Sequence, residues 1–324
     1  MTVRHSARQR GGTGEQAASD CRWMDAIMGS GTDTDRSQDA TDPSAAGSGV
    51  AAVGPIQWHP IALIRGSRPP TPEVDEGDDD VRKPGFALIV LNQPITHYLG
   101  IIRRVWKNAF TRIAADGGAN CLYDAAAAHG DDCFDNLDAI IGDLDSVTDK
   151  TRAYFEPTTS SKPGTEVIFD PDQYSTDFGK AVNYVRDQHG TPVDIVAIGG
   201  LGGRVDQGLS QLHHLYLFQT HPRYDEGRMY LFSGESLTFL LKTGYHQILV
   251  REDGQEDVFA KYVGILPMKE PSRITTNGLE WDVTDWETEF GGMVSTSNHV
   301  LPETKVVEVY TTKDVLFTIA LRQV

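Results

Sequence analysis

From Phe86 to about Tyr224, short apolar runs alternate with longer stretches of helical periodicity, and most of the apolar runs end on Asp or Gly. FALIVL (86–91), RIAA (112–115), LDAII (137–141), EVIF (166–169) and VDIVAIGG (193–200) read as buried strands. Between them, THYLGIIRRVWKNAF carries Leu99, Ile102, Val105 or Trp106, and Ala109 at helical spacing. NCLYDAAAAH is alanine-rich. STDFGKAVNYVRDQ opens on a capping residue, and VDQGLSQLHHLYLFQ follows the last glycine cluster. Strands alternating with helices predict a mostly parallel sheet with helices on both faces.

After about Tyr224 the pattern changes. RMYLF, SLTFLL, HQILV, YVGILPM, SRITT, LEWDV, GMVSTS, KVVEVY and VLFTIAL are short runs separated by Gly, Pro, Asn and Asp, with no room for a long helix. They predict an all-β unit of sandwich or barrel type. The expected fold is therefore α/β plus all-β: an N-terminal parallel-sheet α/β domain over 85–223, then a C-terminal β-sandwich-like domain over 224–324. Residues 1–84 are rich in Gly, Ser, Thr, Asp and Pro and include the acidic run from Glu73 to Asp80. Such a segment cannot bury enough apolar surface to offset chain entropy, so it is expected to be a largely disordered extension. IQWHPIALIRG (56–66) is the exception: Trp58 and its aliphatic neighbours suit docking on the folded body.

Charge narrows the function. The 324 residues carry a formal net charge of −17, and a nucleic-acid duplex would be repelled by such a surface. A protein this acidic needs a metal between itself and an anionic ligand. Three cysteines, Cys21, Cys121 and Cys133, fit neither a zinc site nor a disulfide framework, and a reducing cytosol is the simplest setting. No stretch approaches the ~20 apolar residues of a membrane span. The basic opening MTVRHSARQRGG reads as a tail.

In open parallel sheets, ligands bind beyond the carboxyl ends of the strands. Asp116 follows RIAA, and Asp143 and Asp145 follow LDAII. Asp170, Asp172, Gln173 and Asp177 follow EVIF, and Arg204 and Asp206 follow VDIVAIGG. Four successive strand ends thus bring carboxylates to one edge, where they repel one another unless a cation lies among them. Mg²⁺ takes hard oxygen ligands from carboxylates and phosphates. Gly117, Gly118, Gly199, Gly200, Gly202 and Gly203 permit a backbone cradle for phosphate, and Arg204 offers a planar fork. Each feature also has an ordinary reading. A lone Asp at a strand end is commonly a cap, and GGLGGR matches neither established glycine-loop pattern. His213–His214 reads as core and surface, and Cys121 as packing. The coincidence of four acidic strand ends with two glycine loops outweighs these readings.

The motifs then become specific. NQP (92–94), ADGGANCLYD (115–124), IGDLDS (141–146), DQ-x-x-TDF (172–178) and GGLGGRVDQ (199–207) resemble successive motifs of the eukaryotic thiamine pyrophosphokinases. GILP (264–267), TTNGLEW (275–281) and VSTSN (294–298) resemble that family's C-terminal motifs, in collinear order over roughly 86–321. The resemblance implies an ATP-binding α/β domain, a β domain, Mg²⁺, and a homodimer with thiamine at the subunit interface. By motif position, Asp116, Asp143, Asp145 and Asp177 would hold metal. Gln93, Asp116, Gly117, Gly118, Asp172, Gln173, Gly202 and Gly203 would face ATP. Asp145, Asp177, Arg204 and Asp206 would be catalytic, and Ser295, Ser297, Asn298 and Phe317 would line the thiamine pocket. Relatives carry an LLWT-like segment whose tryptophan meets the thiamine ring; here it reads Leu316-Phe317-Thr318. The implied reaction is attack of the thiamine hydroxyl on the β-phosphorus of ATP, with Asp145 and Asp177 as alternative proton acceptors. The rivals are another Mg²⁺-dependent nucleotide phosphotransferase and a non-catalytic thiamine or nucleotide sensor. The first leaves VSTSN unexplained, and the second would be expected to have lost some acidic strand ends.

Overall fold

The computed structural model describes residues 54–66, 85–130, 134–156 and 164–322. Most of the expected N-terminal extension lies outside them. Chain order is β1 (Ile56–Trp58), α1 (Ile61–Arg65), β2 (Ala87–Val90), α2 (Leu99–Asn108), β3 (Thr111–Ala115), α3 (Gly118–His129), β4 (Ala139–Gly142), α4 (Asp149–Phe155), β5 (Glu166–Phe169), α5 (Asp177–His189), β6 (Ile195–Ile198) and α6 (Val205–Leu217). There follow β7 (Met229–Phe232), β8 (Ser236–Leu241), β9 (Gly244–Leu249), β10 (Phe259–Leu266), β11 (Ser272–Asn277), β12 (Trp286–Thr288), β13 (Ser295–His299), β14 (Val306–Thr311) and β15 (Val315–Leu321).

A ten-stranded sheet runs β13-β10-β15-β8-β7-β6-β2-β3-β4-β5. Its β7-to-β5 part is parallel, and its β13-to-β7 part is antiparallel. The parallel strands β2, β4, β6 and β7 are buried throughout, which is why they read as unbroken apolar runs rather than alternating ones, whereas the edge strand β5 leaves Val167 and Phe169 exposed. In β2, Leu88 and Val90 enter the core that includes Ile102, Val105 and Leu122 from α2 and α3. Ala87, Ile89 and Leu91 enter the opposite core, with Phe178, Val182 and Leu215 from α5 and α6. A second sheet, β1-β9-β14-β11-β12, supplies Ile248, Val307 and Val309 to the core that also holds Phe239, Val263 and Phe317 of the large sheet. Two sheets sharing one core give the expected sandwich.

The boundary expected at 223/224 falls within one continuous sheet. Met229–Phe232 pairs in parallel with β6, in the register Ile195↔Met229 to Ile198↔Phe232. All four residues of β7 are buried, so this strand closes one more β-α-β unit instead of opening the β region. The sheet then continues through β8 without a break. Residues 56–66, set apart from the rest of the N-terminal segment, pack on the folded body. β1 pairs in parallel with β9, and Trp58 is 0% exposed. The indole stacks on Phe239 with ring centres 4.5 Å apart, and the Arg228 guanidinium carbon sits 4.5 Å from its ring centre on the cation–π side. α4 was not foreseen; Thr148 caps it by accepting the Thr151 N–H.

Candidate functional site

The carboxyl ends of β3 and β4 and the start of α5 converge. One carboxylate oxygen from each of Asp116, Asp143 and Asp177 lies within 4.8 Å of the others. Asp116 sits in the left-handed region (φ 41°), and its N–H is held by the Ile141 carbonyl at 2.8 Å. Its side chain is thereby turned inward and is 4% exposed. Burial pushes its carboxyl up from the ordinary carboxylate range, and the negative charges of Asp177 and Asp145 add to the shift. Asp116 Oδ1 is buried with no hydrogen-bond partner. Gly142 makes the convergence possible: a Cβ there would stand 2.8 Å from the Asp116 Cβ and 3.0 Å from Asp177 Oδ1. Gly118 performs a comparable service for α3, because a Cβ would stand 2.1 Å from the Val90 carbonyl oxygen.

Asp143 accepts a hydrogen bond from Gln173 Nε2 at 3.0 Å. That bond, with the Asp145 N–H, holds its carboxyl below the ordinary range. Asp145, expected as a fourth metal-side carboxylate, lies outside the converging group. Leu144 takes a left-handed conformation (φ 60°), and the Asp145 carboxylate accepts from its neighbour Ser146 Oγ at 2.9 Å. Asn120 of α3 holds this loop: it donates to the Ser146 carbonyl and accepts from the Thr148 N–H. Asp172 is exposed and closes a local turn, accepting from Ser175 Oγ and Tyr174 N–H, and the first of these lowers its carboxyl pKa most. Gln93 reaches the second glycine loop, where a Cβ on Gly203 would stand 2.7 Å from Gln93 Oε1. Gly117 and Gly118 begin α3 beside Asp116, and Gly202 lies in the loop that precedes α6. Arg204 is paired with Asp206 in an exposed salt bridge, which raises the one pKa and lowers the other.

Sequence reasoning missed Lys180. It is 4% exposed, donates to Asp177 Oδ1 at 3.2 Å and to the Asp170 carbonyl at 3.0 Å, and so ties the first turn of α5 to the end of β5. A lysine one turn after Asp177, flanked by Phe178, Ala181 and Val182, was the available signal. His214, read as core or surface, is buried, and burial lowers its pKa below the ordinary histidine value.

The residues expected at the thiamine pocket are divided. Ser297 is exposed and left-handed (φ 57°), and Ser295 is half-buried, so both hydroxyls are available at β13. Asn298 is buried and committed: Oδ1 accepts from the N–H groups of Trp281 and His299, and Nδ2 donates to the Trp281 carbonyl. Its amide fixes the turn carrying Trp281 instead of lining a pocket. Phe317, expected to stack on a ligand at an interface, is 0% exposed, with its ring 5.3 Å from that of Phe239. The reason is the second sheet, which covers this face of β15 so that Leu316 and Phe317 enter opposite cores. Beside β13 the exposed large side chains include Trp281, Phe290, Met293 and, on the paired strand β10, Tyr262.

The sequence matches the model of "Thiamin pyrophosphokinase, catalytic domain" over residues 102–224 and that of "Thiamin pyrophosphokinase, vitamin B1 binding domain" over 245–316. It is 34% identical over 251 residues to thiamine pyrophosphokinase 3 of Oryza sativa subsp. japonica, covering 73% of this chain and 87% of that one. The chain belongs to the thiamine pyrophosphokinase family. Thiamine pyrophosphokinase 1 of Arabidopsis thaliana is also 34% identical, over 74% of this chain and 87% of its own. The crystal structure of yeast thiamin pyrophosphokinase superposes with a TM-score of 0.67 at 24% identity, covering 87% of this chain and 96% of that one, a likeness of fold. Within this family the three converging aspartates fall inside the catalytic-domain match, and Ser295 and Ser297 inside the vitamin-B1-binding match.

Proposed function

We propose that this chain is a thiamine diphosphokinase that transfers the pyrophosphoryl group of ATP to the hydroxyl of thiamine, giving thiamine diphosphate and AMP. The observation that carries the reading is the convergence of Asp116, Asp143 and Asp177 within 4.8 Å in a member of this family. The donor set suits a hard divalent cation. It is all oxygen, and Asp116 Oδ1 is desolvated with no partner of its own, an arrangement that costs free energy unless a cation satisfies it. Asp116, Asp143 and Asp177 would hold Mg²⁺, which when bound neutralises charge on the phosphate oxygens.

The chain's own groups then have assignable parts. Gln93 and the Gly202–Gly203 loop would receive phosphate oxygens through donors and backbone N–H groups. Gln173 orients Asp143. Arg204 is exposed and would exchange Asp206 for a phosphate. The thiamine oxygen forms a bond to the β-phosphorus, the bond from that phosphorus to the α–β bridging oxygen breaks, and AMP leaves with that oxygen. The hydroxyl proton would pass to Asp145, which lies outside the metal-side group, whereas Asp177 Oδ1 already accepts from Lys180.

A homodimer is part of this reading. β13, with Ser295 and Ser297, and β4, which ends just before Asp143, are eight strand spacings apart in one sheet. At ~4.8 Å each that is roughly 40 Å, too far for one thiamine to touch both. A second copy bringing its β13 to the acidic edge resolves the distance, and the exposed Trp281, Phe290 and Met293 offer apolar surface for it. A cytoplasmic setting also belongs to the reading and rests on the cysteine pattern. Among the described residues no helix is long and apolar enough to cross a membrane. The test is incubation with ATP, Mg²⁺ and thiamine, read by mass spectrometry. AMP and thiamine diphosphate in equal amounts are expected; ADP with thiamine monophosphate, or no product, refutes the reading.

A further inference from the structure

The first turns of α5 and the body of α6 are joined by one directed hydrogen-bond chain. His214 Nδ1 lies 2.5 Å from the Ser210 carbonyl oxygen. A carbonyl only accepts, so Nδ1 carries the proton and Nε2 presents a lone pair. Nε2 is 2.7 Å from Thr176 Oγ1, so the Thr176 hydroxyl is the donor. The same oxygen accepts the Gly179 N–H at 3.0 Å, the helix-capping bond of α5. The imidazole packs against Phe178 and Phe218, with ring centres 5.0 and 5.8 Å away. At Gly179 a Cβ would crowd the cap itself, standing 3.3 Å from Thr176 Oγ1, while meeting His214 Nε2 only at ordinary contact distance, 3.8 Å.

Capping alone needs only the acceptor side of a threonine hydroxyl. Here the donor side is also committed, to a buried ring on another helix. Thr176 immediately precedes Asp177, and Lys180 restrains the Asp177 carboxylate directly. We infer that His214 is a positioning residue of the acidic site: through Thr176 it fixes the first turn of α5, and with it the direction from which Asp177 meets Asp116 and Asp143. This rests on the reading of those carboxylates as a divalent-metal site. His214 itself touches none of them, and α6 carries Arg204 and Asp206 at its own start, so the chain couples the two helices that bear site residues.

The test measures Mn²⁺ binding to the full-length protein by the loss of the free-ion electron paramagnetic resonance signal, alongside turnover and Tm. His214→Phe keeps a ring but no acceptor, and Thr176→Val removes the hydroxyl. Each is expected to weaken Mn²⁺ binding about 3- to 10-fold. The double variant should be no weaker than the poorer single one. Thr176→Ser, which restores the hydroxyl, should bind like the parent, and KM for thiamine should hold throughout. Should His214→Phe fail to fold, the Thr176→Val and Thr176→Ser pair decides alone. A lowered Tm with unchanged Mn²⁺ binding would make the chain a purely structural cap and overturn the inference. Asp177→Asn is the control. If it loses Mn²⁺ while the chain variants do not, only the inference fails; if it binds like the parent, the metal reading fails and the inference with it.

Discussion

Trp58 Nε1 donates to His246 Nδ1 at 3.0 Å inside the core of the β region. His246 Nε2 in turn faces the Lys242 carbonyl at 2.7 Å, so the ring is the neutral tautomer with its proton on Nε2. Protonating Nδ1 would break the bond to Trp58. Burial is the largest cause pulling this histidine down, to about 4 from 6.5.

A pH dependence follows. The folded pKa lies below the unfolded one, so this contribution to stability is fully present above about pH 6.5. It is lost as pH falls towards 4 and is constant below that. The total is at most about 3 kcal/mol. Urea unfolding of the parent and of His246→Gln at intervals between pH 7 and 4 should show a steeper loss in the parent. Parallel curves would mean that His246 does not titrate against folding.

The docked segment divides the N-terminal region by consequence. Removal of residues 1–50 should leave activity and Tm almost unchanged, whereas removal through Gly66 deletes Trp58. Trp58→Ala alone should cost about 3–5 kcal/mol in chemical denaturation, because it empties a fully buried site and leaves His246 Nδ1 without a donor. A loss under about 1 kcal/mol would show that the segment is dispensable.

Asp116, Asp143 and Asp177 should behave as a set. Replacing any one by Asn should reduce turnover by at least about 100-fold. Asp116→Asn should keep or raise Tm in metal-free buffer, because it removes a charge that is buried beside other carboxylates. Near-parental activity in the folded Asp116 or Asp143 variants would dismantle the metal assignment.

Phe317→Leu should lower stability by about 1–2 kcal/mol and leave KM for thiamine as it was, since the ring is enclosed by its own chain. Phe317→Trp should overpack the same place and destabilise by about 1–3 kcal/mol. A several-fold rise in KM with Tm unchanged would return Phe317 to the ligand.

The central parallel strands were legible because their apolar runs are buried on both faces and stop where the backbone must turn, as FALIVL does before Asn92; the edge run EVIF, with Val167 and Phe169 exposed, was legible from its apolar residues and its Asp-Pro stop alone. The acidic edge was legible for the same reason: strand ends fix its phase. The pairing of β7 was not. MYLF looks the same whether its neighbour runs parallel or antiparallel, and the choice is made by long-range register. Phe317 was misplaced because its motif position says nothing about which sheet will cover it. Lys180 escaped notice, and His214 was read only as one of a core-and-surface pair, because a buried polar group reveals its role only through partners that lie elsewhere in the chain, as Thr176 does for His214 across 38 positions.

The span of the ten-stranded sheet has a genetic consequence. If each working centre combines the acidic edge of one copy with the β13 hydroxyls of another, damage at the two ends is separable. A subunit crippled at Asp143 and one crippled at Ser295 and Ser297 are each inactive when paired with themselves. Mixed together, they assemble one centre carrying both lesions and one carrying neither. Two dead alleles of this protein would then complement each other, up to half the parental activity per mixed pair.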